Sequence, residues 1–567
     1  MDDSGAGARG AHRWDPARMQ PRGILGRGGS APSSAAGRGR AQAQLRFAAV
    51  TMAAALSSYG CALALEHAAH LHTGVLVLAV VLAVTLSRTD RAGTFRQRLQ
   101  AAALLPVVAV AAREVGTLLV SRADLGDTLF VAAVAGSIWL RRFGPGAARA
   151  GTLIALPFIA LLTTPAAPGV AREGVWWAAV IGLIACGCVA LAQWLAARTG
   201  FIAAVLAPAP GHASPTAGGG GRAARGRRLP ASTRMAIQMA AALALAFAGG
   251  RWLFGVHWPW PVLSAFVVCS GNRGREDVLH KSGLRLAGAA TGTAAATLLA
   301  GRIAPGSDVS VVLIFVLLGL AVWLRGFSYA YWATGVTGVL ALLYGYYGQN
   351  ASGLLPDRLE GILLGAALGV AVSWTLLPVR TSDVLRRRTS EALAALSEVV
   401  RGTGGDPREL SAHALRFEHA LTRLEEIGPP LRAQRALARL RGPGAQPADV
   451  IDAASQCRAP VGVLVACCQP DGALIGDDMD ERRAAVAALI VATRRSIGGR
   501  EQEPGAGPRE PRGPLPGEPS RALAALAELE SAVAGVWSAV GQTVARRAES
   551  APAPGETPAA TRRSQRS

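Results

Sequence analysis

Arginine is the reactive side chain this chain offers most freely, and its placement is uneven. An aromatic, Pro-containing segment, His257-Trp258-Pro259-Trp260-Pro261, leads through an apolar run into a charged loop with Arg275, Glu276 and Lys281. Arg285 then begins the next apolar stretch. Cations there would attract an anion or fix the loop on one side of a membrane. For Arg275 and Lys281 the second role is the stronger expectation, and Arg285 is the foremost site candidate. Arg358 and Glu360 open a later apolar run, and Arg113-Glu114 lies within or beside an earlier one. Ionisable groups inside a membrane are costly and mark functional positions, so Glu114 and Glu360 are the candidate proton carriers. Five of the six tyrosines, Tyr329, Tyr331, Tyr344, Tyr346 and Tyr347, fall close together with Trp332 beside them. These tyrosines and Trp332 could stack on an aromatic substrate, Tyr331 and Trp332 being the pair taken as pathway candidates. The two tyrosine groups stand about 15 residues apart, some 22 Å of helix, which fits an aromatic belt at two membrane surfaces better.

Other chemistries lack their parts. There is no GxxxxGK[ST] phosphate loop, and the only lysine, Lys281, follows His280 rather than glycine. An ATP-driven pump is therefore not expected. Neither HExxH, nor GxSxG after a strand, nor a carboxylate cluster with metal-ligand spacing occurs, so no enzymatic activity and no cofactor or metal is expected. His67, His70 and His72 are close in sequence but sit on an Ala-rich connection and read as a solvated turn. The seven cysteines, Cys61, Cys186, Cys188, Cys269, Cys457, Cys467 and Cys468, form no CxxC and read as small apolar filler.

The elements that must position the arginines are membrane spans. Over 567 residues, 51% are hydrophobic and only 17% charged, while mean hydropathy is +0.31. Twelve apolar stretches fall near 45–65, 72–87, 99–120, 125–140, 148–166, 174–196, 233–250, 257–271, 284–301, 309–325, 327–347 and 358–378. A bilayer core needs roughly 20 helical residues. The second stretch is short and the third holds Arg113 and Glu114, so the count lies between ten and twelve.

Formal net charge is +21 and the pI about 11.1, values that would suit nucleic acid were they on a soluble surface. They are not: residues 1–44 carry a net +4, 45–380 a net +15 and 381–567 a net +2. Within 45–380, twenty basic residues occupy one set of loops and six the alternate set. That asymmetry reports topology, with both termini cytoplasmic. The expected fold is all-α: a polytopic plasma-membrane protein of about twelve transmembrane helices in two six-helix halves, plus a cytoplasmic helical domain. Its partner is the lipid bilayer, with no nucleic acid, and a homo-oligomer stays open.

Residues 1–44 lack the apolar core of a signal peptide and read as a disordered basic N-terminus. The first half is 45–207, a flexible Gly- and Arg-rich linker covers 208–232, and the second half is 233–380. The halves look like a weak parallel repeat, each with a MAAAL run, Met52–Leu56 and Met239–Leu243. Such repeats place a transport pathway at their interface. Beyond Arg380 the spacing turns amphipathic, predicting helices at 383–402, 407–427, 430–441, 448–469, 478–497 and 520–547 within a cytoplasmic domain over 381–548. Asp406-Pro407 has the form of an N-cap and first helical residue. Residues 549–567 read as a disordered tail.

Within 232–380 the chain resembles the fusaric-acid-resistance-like family of the aromatic acid exporter superfamily. The matching residues are His257-Trp258, Ala265-Phe266-Val267-Val268, Gly274-Arg275, Val278-Leu279 and Arg285-Leu286-Ala287-Gly288 through Gly292. A second set runs from Asp357-Arg358-Leu359 through Gly365 to Trp374 and Pro378. The family often has Gly-Thr after the helix-start arginine, where this chain has Gly288-Ala289. Gly288 and Gly292, four apart, and Gly365 are the small residues that would let helices approach closely. The resemblance implies an inner-membrane secondary exporter of small organic anions, often aromatic carboxylic acids. A passive anion channel is the alternative within the same superfamily, and a membrane scaffold whose cytoplasmic helices bind partners is the alternative outside it. The candidate pathway residues, from the motifs and the aromatic cluster together, are Arg285, Arg275, His257, Trp258, Arg358, Tyr331 and Trp332.

Overall fold

The computed structural model describes residues 33–70, 74–89, 95–163, 176–201, 229–299, 304–347, 351–403, 405–440, 442, 444–467, 477–498 and 520–549. Most of the expected linker, much of the expected N-terminal and C-terminal tails, His72 and Cys468 lie outside them. The described residues are helical, with no strand among them.

Twelve helices lie before residue 380. They are α1 (Ser33–Ala69), α2 (Gly74–Thr89), α3 (Phe95–Ser121), α4 (Ala123–Trp139), α5 (Pro145–Thr163) and α6 (Trp176–Arg198), then α7 (Ala231–Phe254), α8 (Pro259–Cys269), α9 (Arg275–Leu299), α10 (Asp308–Leu324), α11 (Tyr329–Tyr346) and α12 (Ala351–Thr375). Local chemistry sets several of their starts. The hydroxyls of Ser307 and Ser328 accept from the backbone N–H of Val309 and Ala330, each at 3.2 Å, and cap α10 and α11. Pro259 opens α8, where its missing N–H costs nothing.

The start of α9 differs from the sequence reading. The helix begins ten residues before Arg285, taking in Arg275, Glu276 and Lys281. Glu276 and Asp277 occupy its first turn, where acids suit the helix dipole. Asp277 also pairs with Lys281 one turn on, at 2.9 Å. Likewise α12 begins at Ala351, seven residues before Arg358. Both arginines therefore lie inside helices rather than at their mouths.

Two apolar seams join the first six helices to the second six. One packs Phe130 of α4 and Phe158 of α5 against Met239, Leu243 and Phe247 of α7 and Val262 and Phe266 of α8. Phe130 meets Phe158 and Phe247 edge to face. The other sets Leu318 and Val322 of α10 into the core of α1, α2, α3, α5 and α6. An ion pair ties the same two groups of helices, with Arg251 donating to both oxygens of Asp127 at 2.8 and 2.6 Å.

Seven further helices follow: α13 (Thr381–Gly402), α14 (Pro407–Glu425), α15 (Gly428–Arg439), α16 (Pro447–Gln456), α17 (Arg458–Cys467), α18 (Asp477–Ile497) and α19 (Arg521–Glu549). They share one core of their own, including Leu396, Leu421, Leu424, Ile451, Leu464, Ile490, Leu526 and Val533. Asp406 caps α14 as its sequence suggests, accepting from the Arg408 N–H at 2.9 Å. The single helix expected over 448–469 is two, broken at Cys457. Pro460 explains the break, since it can neither donate to Gln456 nor fit its ring against that carbonyl.

Eight helical stretches among the described residues are long and apolar enough to cross a membrane. Six lie between Ala41 and Thr375; the other two, Pro447–Cys467 and Arg521–Thr543, belong to the C-terminal group. The shorter apolar helices include α8, whose 11 residues reach only about 16 Å. By length and apolarity the chain is thus a multi-pass membrane protein with fewer qualifying spans than helices.

Candidate functional site

Arg285 sits ten residues into α9, on a helix that leans closely on α11. Gly288 and Gly292 make that approach feasible. A Cβ at Gly288 would stand 2.6 Å from the Ala330 carbonyl oxygen, and one at Gly292 2.7 Å from that of Thr334. On the other side, α8 lies against α12 through Gly365, where a Cβ would collide with the Pro261 carbonyl and approach the Ser264 side chain to 2.8 Å. Ser264 is fully buried by this packing. Its hydroxyl accepts from Nε and Nη2 of Arg285, at 3.3 and 3.2 Å. A glycine on one helix thus seats the serine that orients the arginine of another.

Arg358 of α12 reaches the same place. The two arginines share a narrow gap of about 10 Å³ with Trp260, Leu263, Tyr344, Leu340, Leu162 and Ile362. The Trp260 indole N–H donates to the Tyr344 hydroxyl at 3.3 Å, setting the aromatic edge of this gap. Arg285 and Arg358 are only 9% and 5% exposed. Nη1 of Arg358 is buried without a hydrogen bond, and neither arginine has a carboxylate within ion-pair distance among the described residues. Two buried guanidinium groups side by side without a counter-charge form a site whose electrostatics call for an anion.

A larger cavity of about 250 Å³ adjoins the gap through Arg285, Leu263 and Leu340. The first six helices supply Tyr59, residues of α2 such as Val80 and Val84, and Ile159. The second six supply Phe315 of α10 and Tyr329, Trp332, Tyr346 and Tyr347 at or near the two ends of α11. Arg285 is its one charged wall residue. The volume is slightly below the roughly 300–1,000 Å³ of typical small-ligand pockets. The chamber is thus aromatic and apolar, with a cation at one wall and a second cation behind it.

The other residues singled out in the sequence lie elsewhere. Trp332 lines the chamber, but Tyr331 is 51% exposed and lines neither cavity. Tyr329, Tyr346 and Tyr347, which their spacing assigns to membrane surfaces, face the chamber from its two ends. His257 stacks on Trp260 with ring centroids 4.4 Å apart, supporting the gap from behind. Trp258 packs on Phe247 and lies 4.6 Å beneath the Arg251 guanidinium. Arg275 is away from the chamber, paired with Glu276 at 3.2 Å and stacked 4.9 Å over Trp374. Glu114 and Glu360 are both exposed, on α3 and α12, and line neither cavity. The sequence reading names Trp260 in the aromatic segment and assigns Tyr344 to an aromatic belt without placing either in the site, and it misses Ser264. Its signal for Ser264 was there: a lone polar residue within the apolar run Val262–Cys269.

Residues 239–372 match the family model described as fusaric acid resistance protein-like. Over this segment, about a quarter of its length, the chain is similar to the fusaric acid resistance protein-like family. No significant match to a curated protein accompanies it. The matched segment spans most of α7 through most of α12, so it contains Trp260, Ser264, Arg285, Tyr344 and Arg358, together with Gly288, Gly292 and Gly365. The wall formed by α1 and α2 comes from outside it. The matched segment holds several of the chain's apolar helices.

Proposed function

We propose that this protein is a secondary exporter of small organic anions, aromatic carboxylic acids in particular, working in the plasma membrane. The observation that carries the reading is the pair of buried, uncompensated arginines beside the aromatic chamber. Such a pair is unfavourable when empty and is relieved by an anionic guest. The chamber also lies where the first and second six helices meet, the usual place for a pathway between transporter halves.

On this reading α1 to α12 form the membrane part as two six-helix halves, and α13 to α19 form a cytoplasmic bundle. Two features favour that assignment over a membrane-crossing α16–α17. Arg458 of α17 forks onto Glu418 and Glu425 at 3.0 and 2.9 Å, and Asp452 of α16 pairs with Arg432 and Arg435. Most of these groups are about a third to a half exposed, a condition suited to water and costly in lipid. The twenty-to-six asymmetry of basic residues supports cytoplasmic termini on this reading.

Inside-out membrane vesicles test the function. Loaded against an imposed proton gradient, they accumulate labelled benzoate above its external concentration if the protein is an exporter. Flux that only follows the benzoate gradient identifies a channel instead. Arg285→Ala, inserted at wild-type level, abolishes most of the flux. Uptake unchanged by Arg285→Ala removes the chamber from the pathway.

A further inference from the structure

A second cavity, of about 480 Å³, lies where the twelve helices meet the C-terminal bundle. It is bounded by the start of α9, the first turns of α13, and residues of α16, α18 and α19. Its composition is divided. Arg275, Arg380 and Arg386 stand on its wall with a single acid, Glu276. Glu276 is already engaged, by Arg275 at 3.2 Å and by the Thr381 hydroxyl. Arg380 and Arg386 have no carboxylate within ion-pair distance among the described residues. Leu385, Val450, Ile497 and Val540 form an apolar wall.

Thr389 lies at the cavity wall at 1% exposure, and its hydroxyl makes no hydrogen bond among the described residues. A buried hydroxyl left unsatisfied is costly unless something arrives to pair with it. The volume falls within the range of small-ligand pockets.

We propose that this junction is a second binding site for a small amphipathic organic anion, separate from the membrane chamber. The acid group would be held by Arg380 and Arg386, the apolar body would lie on Leu385, Val450, Ile497 and Val540, and a polar atom would meet Thr389. Because Arg275 and Glu276 begin the helix that carries Arg285, a guest here touches both the bundle and the first turn of α9. The apolar wall belongs to the bundle helices, so the guest is a soluble molecule rather than a phospholipid anchored by its chains.

The test uses the full chain in detergent micelles, titrated with trifluoromethylbenzoate and followed by fluorine NMR. Working in the Arg285→Ala background, or Arg285→Gln if that variant misfolds, removes the membrane chamber and makes the result independent of the proposed transport. Saturable binding persists in that background and weakens at least about tenfold when Arg380→Gln and Arg386→Gln are added, through loss of the charge-assisted contacts. Thr389→Val gives a signature a purely structural role would not. The ligand-free protein melts at a higher temperature, because an unsatisfied hydroxyl is gone, while the probe binds about fivefold more weakly. Binding unchanged by the double arginine variant overturns the proposal. Displacement of the probe by inorganic phosphate at equal concentration overturns the amphipathic class of the guest.

Discussion

Replacing Arg358 by Met should make the protein more stable and less able to hold its anion. The two signs follow from one geometry. Arg358 is 5% exposed, its Nη1 has no partner, and Arg285 lines the same gap. An arginine at the centre of a membrane helix costs about 2.5–3.5 kcal/mol on insertion scales. Arg358 lies seven residues, about 10 Å, into α12, so part of that cost applies, and the neighbouring guanidinium adds repulsion. Methionine fills much of the same volume without charge, and a gain of about 1–3 kcal/mol in the empty protein is expected. Against this, the anion loses one charge-assisted contact, worth about 1.5–3 kcal/mol, or about tenfold to a hundredfold in affinity. Thermal unfolding in nanodiscs, with and without trifluoromethylbenzoate, reads both effects. The wild type gains more from ligand than Arg358→Met does, and Arg358→Lys falls between them because a lysine keeps the charge but loses the fork. A destabilised Arg358→Met protein that binds as tightly as the wild type would refute the reasoning, because Arg358 would then be a structural residue.

Two further outcomes test the packing and the bundle. Gly288→Val should lower thermal stability and membrane yield by an overpacking cost of about 1–3 kcal/mol, since its Cβ meets the Ala330 carbonyl and Ala333. Gly283→Val, on the same helix with nothing within 4 Å, should cost far less; equal losses at the two positions would place the fault in helix propensity rather than contact. In the bundle, burial pushes the Glu425 carboxyl upward, but hydrogen bonds from Arg458 and Ser455 and the charges of Arg458 and Arg432 outweigh it, holding the group below its ordinary value of 4.5. Stability from this cluster is therefore complete above about pH 4.5 and is lost as pH falls through the lower folded value. Circular dichroism across pH 2–6 should show Arg458→Ala losing helix with a shallower pH dependence than the wild type. Parallel curves would show that the cluster contributes no linkage.

Much of the helical plan was legible because each apolar stretch carries its own length signal, and the twelve expected stretches correspond one for one with α1 to α12. The number that cross a bilayer was less so. The 11 residues of α8 are too few to span, whereas α19 is apolar enough to qualify although Leu526, Leu529 and Val533 face the bundle core. Arg285 and Arg358 could each be picked out as charges in apolar runs, but 73 positions separate them and nothing in the sequence says that they meet. Both lie deeper in their helices than the sequence suggests, because charged residues at the start of α9 and Ser352, Gly353 and Pro356 at the start of α12 read as loop. Ser264 was passed over and Tyr344 read as belt for a related reason: a hydroxyl becomes meaningful only when a neighbouring helix brings its partner. Glu114 and Glu360 show the converse, charges conspicuous in sequence whose side chains the fold turns outward.

The two guanidinium groups hang from different helices, and both of those helices rest on α8. With the gap empty, the charges act as a compressed spring between α9 and α12, restrained by the tight seats at Gly288, Gly292 and Gly365. A carboxylate bridging them, as the proposed function requires, would reverse the force and turn the spring into a clasp. On the proposed function, an acid group drawing both arginines together would pull on two helices, one of which runs from the chamber to the edge of the C-terminal bundle.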